Sequence, residues 1–268
     1  MEQLIGCVVD LVKKCDELHR KLVSEFRVDE LLQPVCAFTI IANHLVQAQE
    51  LMQFYSSVFP VRPGIGFEER LSENQEQVTR IMTLQGSLFV SIISCMEACA
   101  KLAIKNVKEY FPAEKKSKVT LREITDRAKT RGWLTAEDQA GWADVINIRN
   151  KIVHSNGEYG ESYTVTLPNG LEWRFLRRRK AQITLRHYFE TIDWMLGSYA
   201  VWCRACVQER CEILSYRPSA DVYHVRRTAS ELKEGISYNL LFNKGYGYVF
   251  ESKAKVLPLL GGELVFLE

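Results

Sequence analysis

The sequence lacks an excess of charge of either sign. Its 268 residues carry 35 lysines and arginines against 33 aspartates and glutamates, which gives a net charge of +2 at pH 7. The field of the whole protein therefore does not favour a polyanionic partner. A surface that binds nucleic acid has to come from local clusters of basic residues.

Long apolar runs are also missing. No stretch of eighteen or more apolar residues occurs, so the sequence predicts no transmembrane helix. The N-terminal segment, MEQLIGCVVDLVKKCDELHRK, places acids and lysines inside its apolar pattern, unlike a signal peptide. We therefore expect a cytoplasmic protein whose eight cysteines are reduced thiols.

Little in the sequence is typical of a metal site. Cys203 and Cys206 have the CxxC spacing of a zinc-ligand pair, but they fall in a predicted helix and lack a second pair. Outside the motif described below, the histidines show no ligand spacing with one another. We expect neither a metal nor another cofactor.

Most of the chain has helical periodicity of its apolar residues. The segment FPVRPGIGF interrupts it with two prolines and two glycines. Thr120 and Thr135 are well placed to cap the two helices that follow them. We predict helices at residues 2–27, 31–58, 69–111, 121–130, 136–154 and 185–214.

Two regions have the pattern of β structure instead. The segment YTVTLPNGLEWRF alternates apolar and polar residues on both sides of Pro168-Asn169-Gly170, which predicts a hairpin. Short apolar segments after residue 236 predict further strands. The expected fold is therefore mainly α, a helical bundle with an inserted β-hairpin and a small β-rich C-terminal segment. We expect N-terminal helices at 1–62, the bundle at 63–215 with its hairpin near 163–175, and the β-rich segment at 216–268.

The segment DVINIRNKIVHSNGEY, residues 144–159, places Arg149, Asn150 and His154 at the end of a predicted helix. A step of five residues on an ideal helix turns the side chain by about 140° net, so Arg149 and His154 would diverge. They converge if the helix ends near His154, or if two copies of the helix face each other in a twofold dimer.

These residue types suit RNA cleavage without a metal. Arginine holds a phosphate through its fork of donors. Histidine serves as general base on a ribose 2′-hydroxyl or as general acid to the leaving oxygen. Asparagine can orient either group by hydrogen bonds.

The motif RNKIVH resembles the signature of the HEPN superfamily (higher eukaryotes and prokaryotes nucleotide-binding). SLFVSIISCMEACAKLAIKNV, which contains Glu97 and Lys101, resembles an earlier helix of that family. LREITDRAKTRGWLTAEDQAGWADVINIRN resembles the stretch that leads into the motif, and LRHYFETIDWMLGSYAVWCRACV resembles its closing helix. The resemblance covers about residues 69–214.

The resemblance implies a small helical bundle that pairs as a homodimer, with both motifs lining one cleft. Catalytic members of the family are metal-independent endoribonucleases, often toxins or defence effectors, which implies RNA as a partner and an antitoxin or other protein as a further one. It assigns catalysis to Arg149, Asn150 and His154. Other members are inactive and bind nucleotides or proteins, so a non-catalytic scaffold is the alternative.

Two weaker candidates each have two interpretations. Glu97 either reaches Arg149 across the bundle and orients it, or is an ordinary solvated glutamate. The basic run after the hairpin either binds RNA phosphates, with Trp173 and Phe175 as stacking surface, or protects an edge strand from aggregation. This run consists of Arg177, Arg178, Arg179 and Lys180.

Overall fold

The computed structural model is mainly helical, with one two-stranded antiparallel hairpin among its helices. It describes residues 2–26, 34–58, 75–104, 107, 110–111, 119–155, 161–177, 186–208, 213–217, 222–227, 237–243, 248–258 and 264–267. The helices are α1 (Glu2–Phe26), α2 (Ala37–Val58), α3 (Gln75–Ile104), α4 (Leu121–Thr130), α5 (Ala136–Ser155) and α6 (His187–Gln208).

One apolar core joins α1 and α2 to the helices that follow. Helix α1 buries Leu4, Val8 and Leu11 along one stripe, at the spacing expected of an amphipathic helix. On its solvent side, Lys14 forms a 2.6 Å ion pair with Asp193 of α6. The N-terminal helices therefore share their core with the rest of the bundle.

Helix α3 runs through the middle of this core. Its Thr79–Ile104 portion is long and apolar enough, by length and composition alone, to cross a membrane. Half of the most apolar window is buried inside the protein, as is usual for a central helix of a bundle. The helix ends at Ile104, seven residues before the predicted end at 111.

Helices α4 and α5 begin at the predicted threonine caps. The Thr120 hydroxyl accepts a hydrogen bond from the Glu123 amide, while the Glu123 carboxylate accepts one from the Thr120 amide, which is a capping box. Thr135 Oγ1 accepts a 3.0 Å bond from the amide of Asp138. Both predicted caps are confirmed, and together they fix where the motif helix begins.

The predicted hairpin is present as strands β1 (Tyr163–Thr166) and β2 (Glu172–Phe175). Gly170 has a φ of 81°, a conformation that glycine adopts without strain, and its amide donates to Leu167 O. Trp173 is buried and donates from Nε1 to Thr191 Oγ1 at 3.1 Å. The hairpin is therefore fastened to the first turn and a half of α6.

A glycine allows the hairpin and α6 to approach the motif helix closely. A Cβ atom at Gly141 would lie 2.7 Å from Pro168 Cδ and 2.8 Å from the Trp194 ring. The next residue, Trp142, is buried and donates from Nε1 to Ser198 Oγ at 3.0 Å. The first half of α5 is thus held rigidly, so that its second half presents Arg149 from a fixed position.

The C-terminal region forms antiparallel pairs in the order β4-β3-β5-β6-β7. Strand β3 begins at Ile213, so the prediction of a helix reaching residue 214 is wrong at its end. Ile213 and Leu214 begin a strand that pairs with both β4 and β5. These interstrand hydrogen bonds replace the helix that the apolar periodicity predicts. The strands are β3 (Ile213–Arg217), β4 (Val222–Arg227), β5 (Ser237–Asn243), β6 (Tyr248–Pro258) and β7 (Leu264–Leu267).

Candidate functional site

The motif residues all lie on one uninterrupted helix. Helix α5 continues through His154 and ends at Ser155. Because each helical residue turns by about 100°, the side chains of Arg149 and His154 leave the axis about 140° apart. Within one protomer the helix therefore directs the two side chains to different surroundings.

Arg149 and Asn150 line a small cavity between three helices. Its volume is about 140 Å³, and it is bordered by the second half of α3, the start of α4 and the second half of α5. Both apolar and polar side chains line it. The lining residues are Ile93, Glu97, Thr120, Leu121, Arg122, Ile146, Arg149 and Asn150.

The guanidinium of Arg149 is only partly satisfied. Its Nη1 donates a 3.0 Å hydrogen bond to Asn150 Oδ1. Its Nε is buried and has no hydrogen-bond partner in the part of the chain that the structure describes. A buried donor on a charged group destabilises the folded state by about 1–3 kcal/mol or more when it is left unpaired. An anion in the cavity would remove that cost.

Glu97 lines the same cavity but pairs with a different cation. Its carboxylate forms a 2.6 Å ion pair with Lys101, one turn further along α3. The side chain of Glu97 is 23% exposed, so this carboxylate is neither deeply buried nor fully solvated. In the described residues Glu97 therefore contributes to the wall of the cavity, and its ion pair is with Lys101 instead of Arg149.

The sequence pattern did not mark Arg122, and it marked Thr120 only as a helix cap. Both residues line the cavity. Both lie at the N-terminus of α4, where the helix dipole favours anions. Burial raises the pKa of Asp144, and the nearby Arg122 opposes that shift. A second arginine thus lines the same cavity as Arg149. No local pattern marks Arg122, because its position depends on α4 packing against α3 and α5.

His154 occupies the other side of the motif helix. It is exposed, and it is not among the residues that line the cavity. The neighbouring Val153 is 47% exposed. The last turn of α5 therefore presents a titratable side chain beside an apolar one on the protein surface.

Two aromatic residues of the hairpin do not have the role predicted for them. Trp173 and Phe175 are each 1% exposed, so the prediction that they offer a stacking surface for RNA is wrong. They are buried because the inward face of the hairpin packs on α3 and α6, with Trp173 against Phe89 and Tyr188. Arg177 is exposed, and its amide donates to Ser162 Oγ. The rest of the basic run, 178–180, lies outside the described residues.

Metal-ligating side chains do not gather in the described part of the chain. No group of three or more histidine, cysteine, aspartate or glutamate residues there could hold a metal ion. Cys203 and Cys206, which have the CxxC spacing, are thiols buried in α6. Cysteine commonly takes such positions as a small apolar residue.

Comparisons with models of protein families, with characterised proteins and with solved structures find no match to this chain. Function therefore has to be inferred from the chemistry of the site itself.

Proposed function

We propose that this chain is a metal-independent endoribonuclease of the HEPN type that acts as a homodimer. The observation that carries the proposal is the unpartnered, buried Nε of Arg149 beside a cavity that a second arginine also borders. A cavity of this kind suits an oxyanion the size of a phosphate group. RNA supplies such a group next to a 2′-hydroxyl.

Arg149 binds the scissile phosphate in this proposal. A guanidinium remains charged at all working pH values, and its fork of donors matches two phosphate oxygens at once. Asn150 holds one edge of the guanidinium through the bond to Nη1, so the remaining donors are oriented before substrate arrives. The dipole of α4 and Arg122 add positive potential where charge develops on the phosphate.

His154 supplies proton transfer. As a general base it accepts the proton of the 2′-hydroxyl, and the 2′-oxygen attacks phosphorus. The resulting imidazolium then returns that proton to the 5′-oxygen as it leaves. The products carry a 2′,3′-cyclic phosphate and a 5′-hydroxyl.

A dimer completes the site because one protomer does not bring Arg149 and His154 together. In a twofold interface the same patch meets itself, so His154 of one protomer is able to face Arg149 of the partner. The exposed Val153 beside His154 gives this patch apolar surface to bury. Both protomers then contribute to each active site.

The alternative is a non-catalytic module that binds a phosphate-bearing ligand or a protein partner. The exposure of His154, away from the cavity, favours this candidate if the chain functions as a monomer. A nucleotide phosphate would then bind to Arg149, Asn150 and Arg122 without being cleaved.

Cleavage of end-labelled RNA in the presence of a chelator tests the proposal. We expect the wild-type protein to release fragments with cyclic phosphate ends, whereas His154→Ala and Arg149→Lys do not. Activity should fall with added salt, because phosphate contacts are screened. An inactive wild type that still binds RNA or mononucleotides through Arg149 would establish the alternative.

A further inference from the structure

Three thiols meet where the start of α2 contacts the second half of α3. Cys36, in the turn before α2, places its Sγ 4.0 Å from Sγ of Cys99 on α3. Cys95, one turn earlier on α3, donates from its Sγ to the Ala37 carbonyl at 3.9 Å. This cluster, defined by Cys36, Cys95 and Cys99, lies apart from the residues to which the proposed ribonuclease assigns a role.

Cys99 is the middle member of the cluster. Its Sγ lies 4.0 Å from that of Cys36, and Cys95 lies one turn earlier on the same helix. Cys36 and Cys99 are 8% and 4% exposed, whereas Cys95 is half-buried and is the member that solvent reaches. A small oxidant therefore meets Cys95 first.

Cys95 is the one member of this cluster whose pKa is lowered. The hydrogen bond from Cys99 lowers the pKa of Cys95, although burial opposes that shift. The hydrogen bond with Cys99, together with burial, raises the pKa of Cys36 far above its usual range. For Cys99, the bond with Cys36 lowers the pKa, but the bond with Cys95 and burial outweigh it and raise the pKa to about 12. Because the thiolate is the nucleophile, Cys95 is the member best prepared to react.

The two pairs that include Cys99 differ in how well they fit a disulfide. Residues four apart on a helix have Cβ atoms about 5–6 Å from each other, whereas a relaxed disulfide requires a Cβ separation of about 3.5–4.5 Å. A bond between Cys95 and Cys99 is therefore strained and easily exchanged. Cys36 and Cys99 belong to different elements, already touch through sulfur, and are free of that helical constraint.

We propose that Cys36, Cys95 and Cys99 form an oxidation site for hydrogen peroxide or a small organic hydroperoxide, in which Cys95 reacts first and Cys36 and Cys99 end as a disulfide.

The steps balance with peroxide as the oxidant. The Cys95 thiolate attacks one peroxide oxygen, and the other oxygen leaves as water after gaining a proton, which gives a sulfenic acid on Cys95. The Cys99 sulfur attacks the Cys95 sulfur and expels a second water, forming the strained disulfide within α3. The Cys36 sulfur then attacks Cys99 and releases Cys95 as a thiol. In total, two thiols lose two protons and two electrons, and one hydrogen peroxide becomes two waters.

The final bond ties the turn before α2 to α3 across 63 residues of chain. Cross-linking positions so far apart in sequence restricts the unfolded chain, so the oxidised protein should melt at a higher temperature. Glu97, which borders the cavity, lies between Cys95 and Cys99 on the same turns of α3. Oxidation therefore also stiffens one wall of the candidate site.

Peptide mapping of the native full-length protein after peroxide treatment tests the proposal, with remaining thiols blocked by iodoacetamide. We expect a Cys36–Cys99 disulfide and an alkylated Cys95, and reduction with dithiothreitol should reverse the rise in melting temperature. In Cys95→Ser, the same disulfide should form at least about tenfold more slowly. In Cys36→Ser, oxidation should stop at a sulfenic acid on Cys95 or at the Cys95–Cys99 bond.

Cys203→Ser is the matched control, because Cys203 is fully buried on α6 and takes no part in the sequence of bonds. It should oxidise like the wild type. The proposal is overturned if treated wild-type protein lacks the Cys36–Cys99 disulfide, or if Cys95→Ser forms it as fast as the wild type. The wild-type map needs no substitution, so misfolding of a variant does not obscure that result.

Discussion

Arg149 donates a 3.0 Å hydrogen bond from Nη1 to the side chain of the next residue, Asn150, and keeps its buried Nε unpaired in the described part of the chain. Asn150 thereby holds the guanidinium through Nη1. In our account Nε remains available to a ligand. This arrangement is what makes the cavity beside α5 an anion site in our account.

Replacing Arg149 by methionine should separate binding from stability. The methionine keeps an unbranched apolar stem but removes the unsatisfied donor, so the free energy of unfolding without ligand should be unchanged or slightly higher. Inorganic phosphate or a nucleoside monophosphate should raise the melting temperature of the wild type by mass action and leave the variant unaffected. Thermal melts at several phosphate concentrations measure both effects. An equal response of the two proteins would contradict the assignment.

His154→Ala should affect the reaction without affecting the fold. His154 is exposed, and surface changes of this kind usually alter stability by less than about 0.5 kcal/mol. Loss of the proton-transfer group should lower the cleavage rate by about 10²- to 10⁴-fold. Asn147→Ala, an exposed change two turns earlier on the same helix, is the control and should retain most activity. Rates and melting temperatures are to be recorded on the same preparations.

Two glycine-to-alanine changes should have opposite effects. A Cβ at Gly141 would lie within 2.8 Å of Pro168 and Trp194, so Gly141→Ala should destabilise the protein by about 1–3 kcal/mol. Gly197, on α6, has nothing within 4 Å of the added carbon. Gly197→Ala should therefore stabilise by about 0.5–1 kcal/mol through helix propensity. The urea unfolding midpoints of the two variants measure both effects. If both changes destabilise the protein, or if neither does, the close packing described around Gly141 is wrong.

Stability should decline in alkaline solution. Burial, followed by the charge of Asp16, raises the pKa of Cys15 to about 12, and burial raises the pKa of Tyr188 to about 12. Each group keeps its proton when folded, while the unfolded chain loses it near the ordinary values of 9.0 and 10.0. The folded state therefore loses about 1.4 kcal/mol per pH unit from Cys15 above about pH 9, and a further similar amount from Tyr188 above about pH 10, in each case up to about pH 12.

Urea unfolding under reducing conditions at about pH 8 and about pH 10.5 measures this decline. Cys15→Ala removes one of the titrating groups, so its stability should fall less steeply than that of the wild type. A wild-type midpoint that does not change between the two pH values would be inconsistent with buried neutral thiols and phenols.

Local signals in the sequence were sufficient to detect the helices and the hairpin, but not to place the ends of α3 and α6. Three local signals each specify a boundary within a few residues, namely the threonine caps at 120 and 135 and the Pro168-Asn169-Gly170 turn. The structure confirms all three. The same reasoning failed for Trp173 and Phe175. Their alternation with polar residues shows that one face of the hairpin is apolar, but it does not show that α3 and α6 cover that face.

The candidate site was only half predictable for a related reason. Arg149 and Asn150 stand out because they belong to one short motif. Arg122 is close to Arg149 only because three helices pack together, and contacts between elements leave no mark on a single sequence. Helical geometry also separates Arg149 from His154, which a linear motif does not reveal.

Mixing two inactive variants tests the central claim, a composite site in a homodimer, most directly. One protein carries Arg149→Lys and keeps His154, and the other carries His154→Ala and keeps Arg149. After subunit exchange, half of the dimers should contain one intact site of the two, so RNA cleavage in chelator should recover to about a quarter of the wild-type rate. Each variant alone should stay at background. No recovery in a mixture shown to contain mixed dimers, or full activity of either variant alone, would contradict the account.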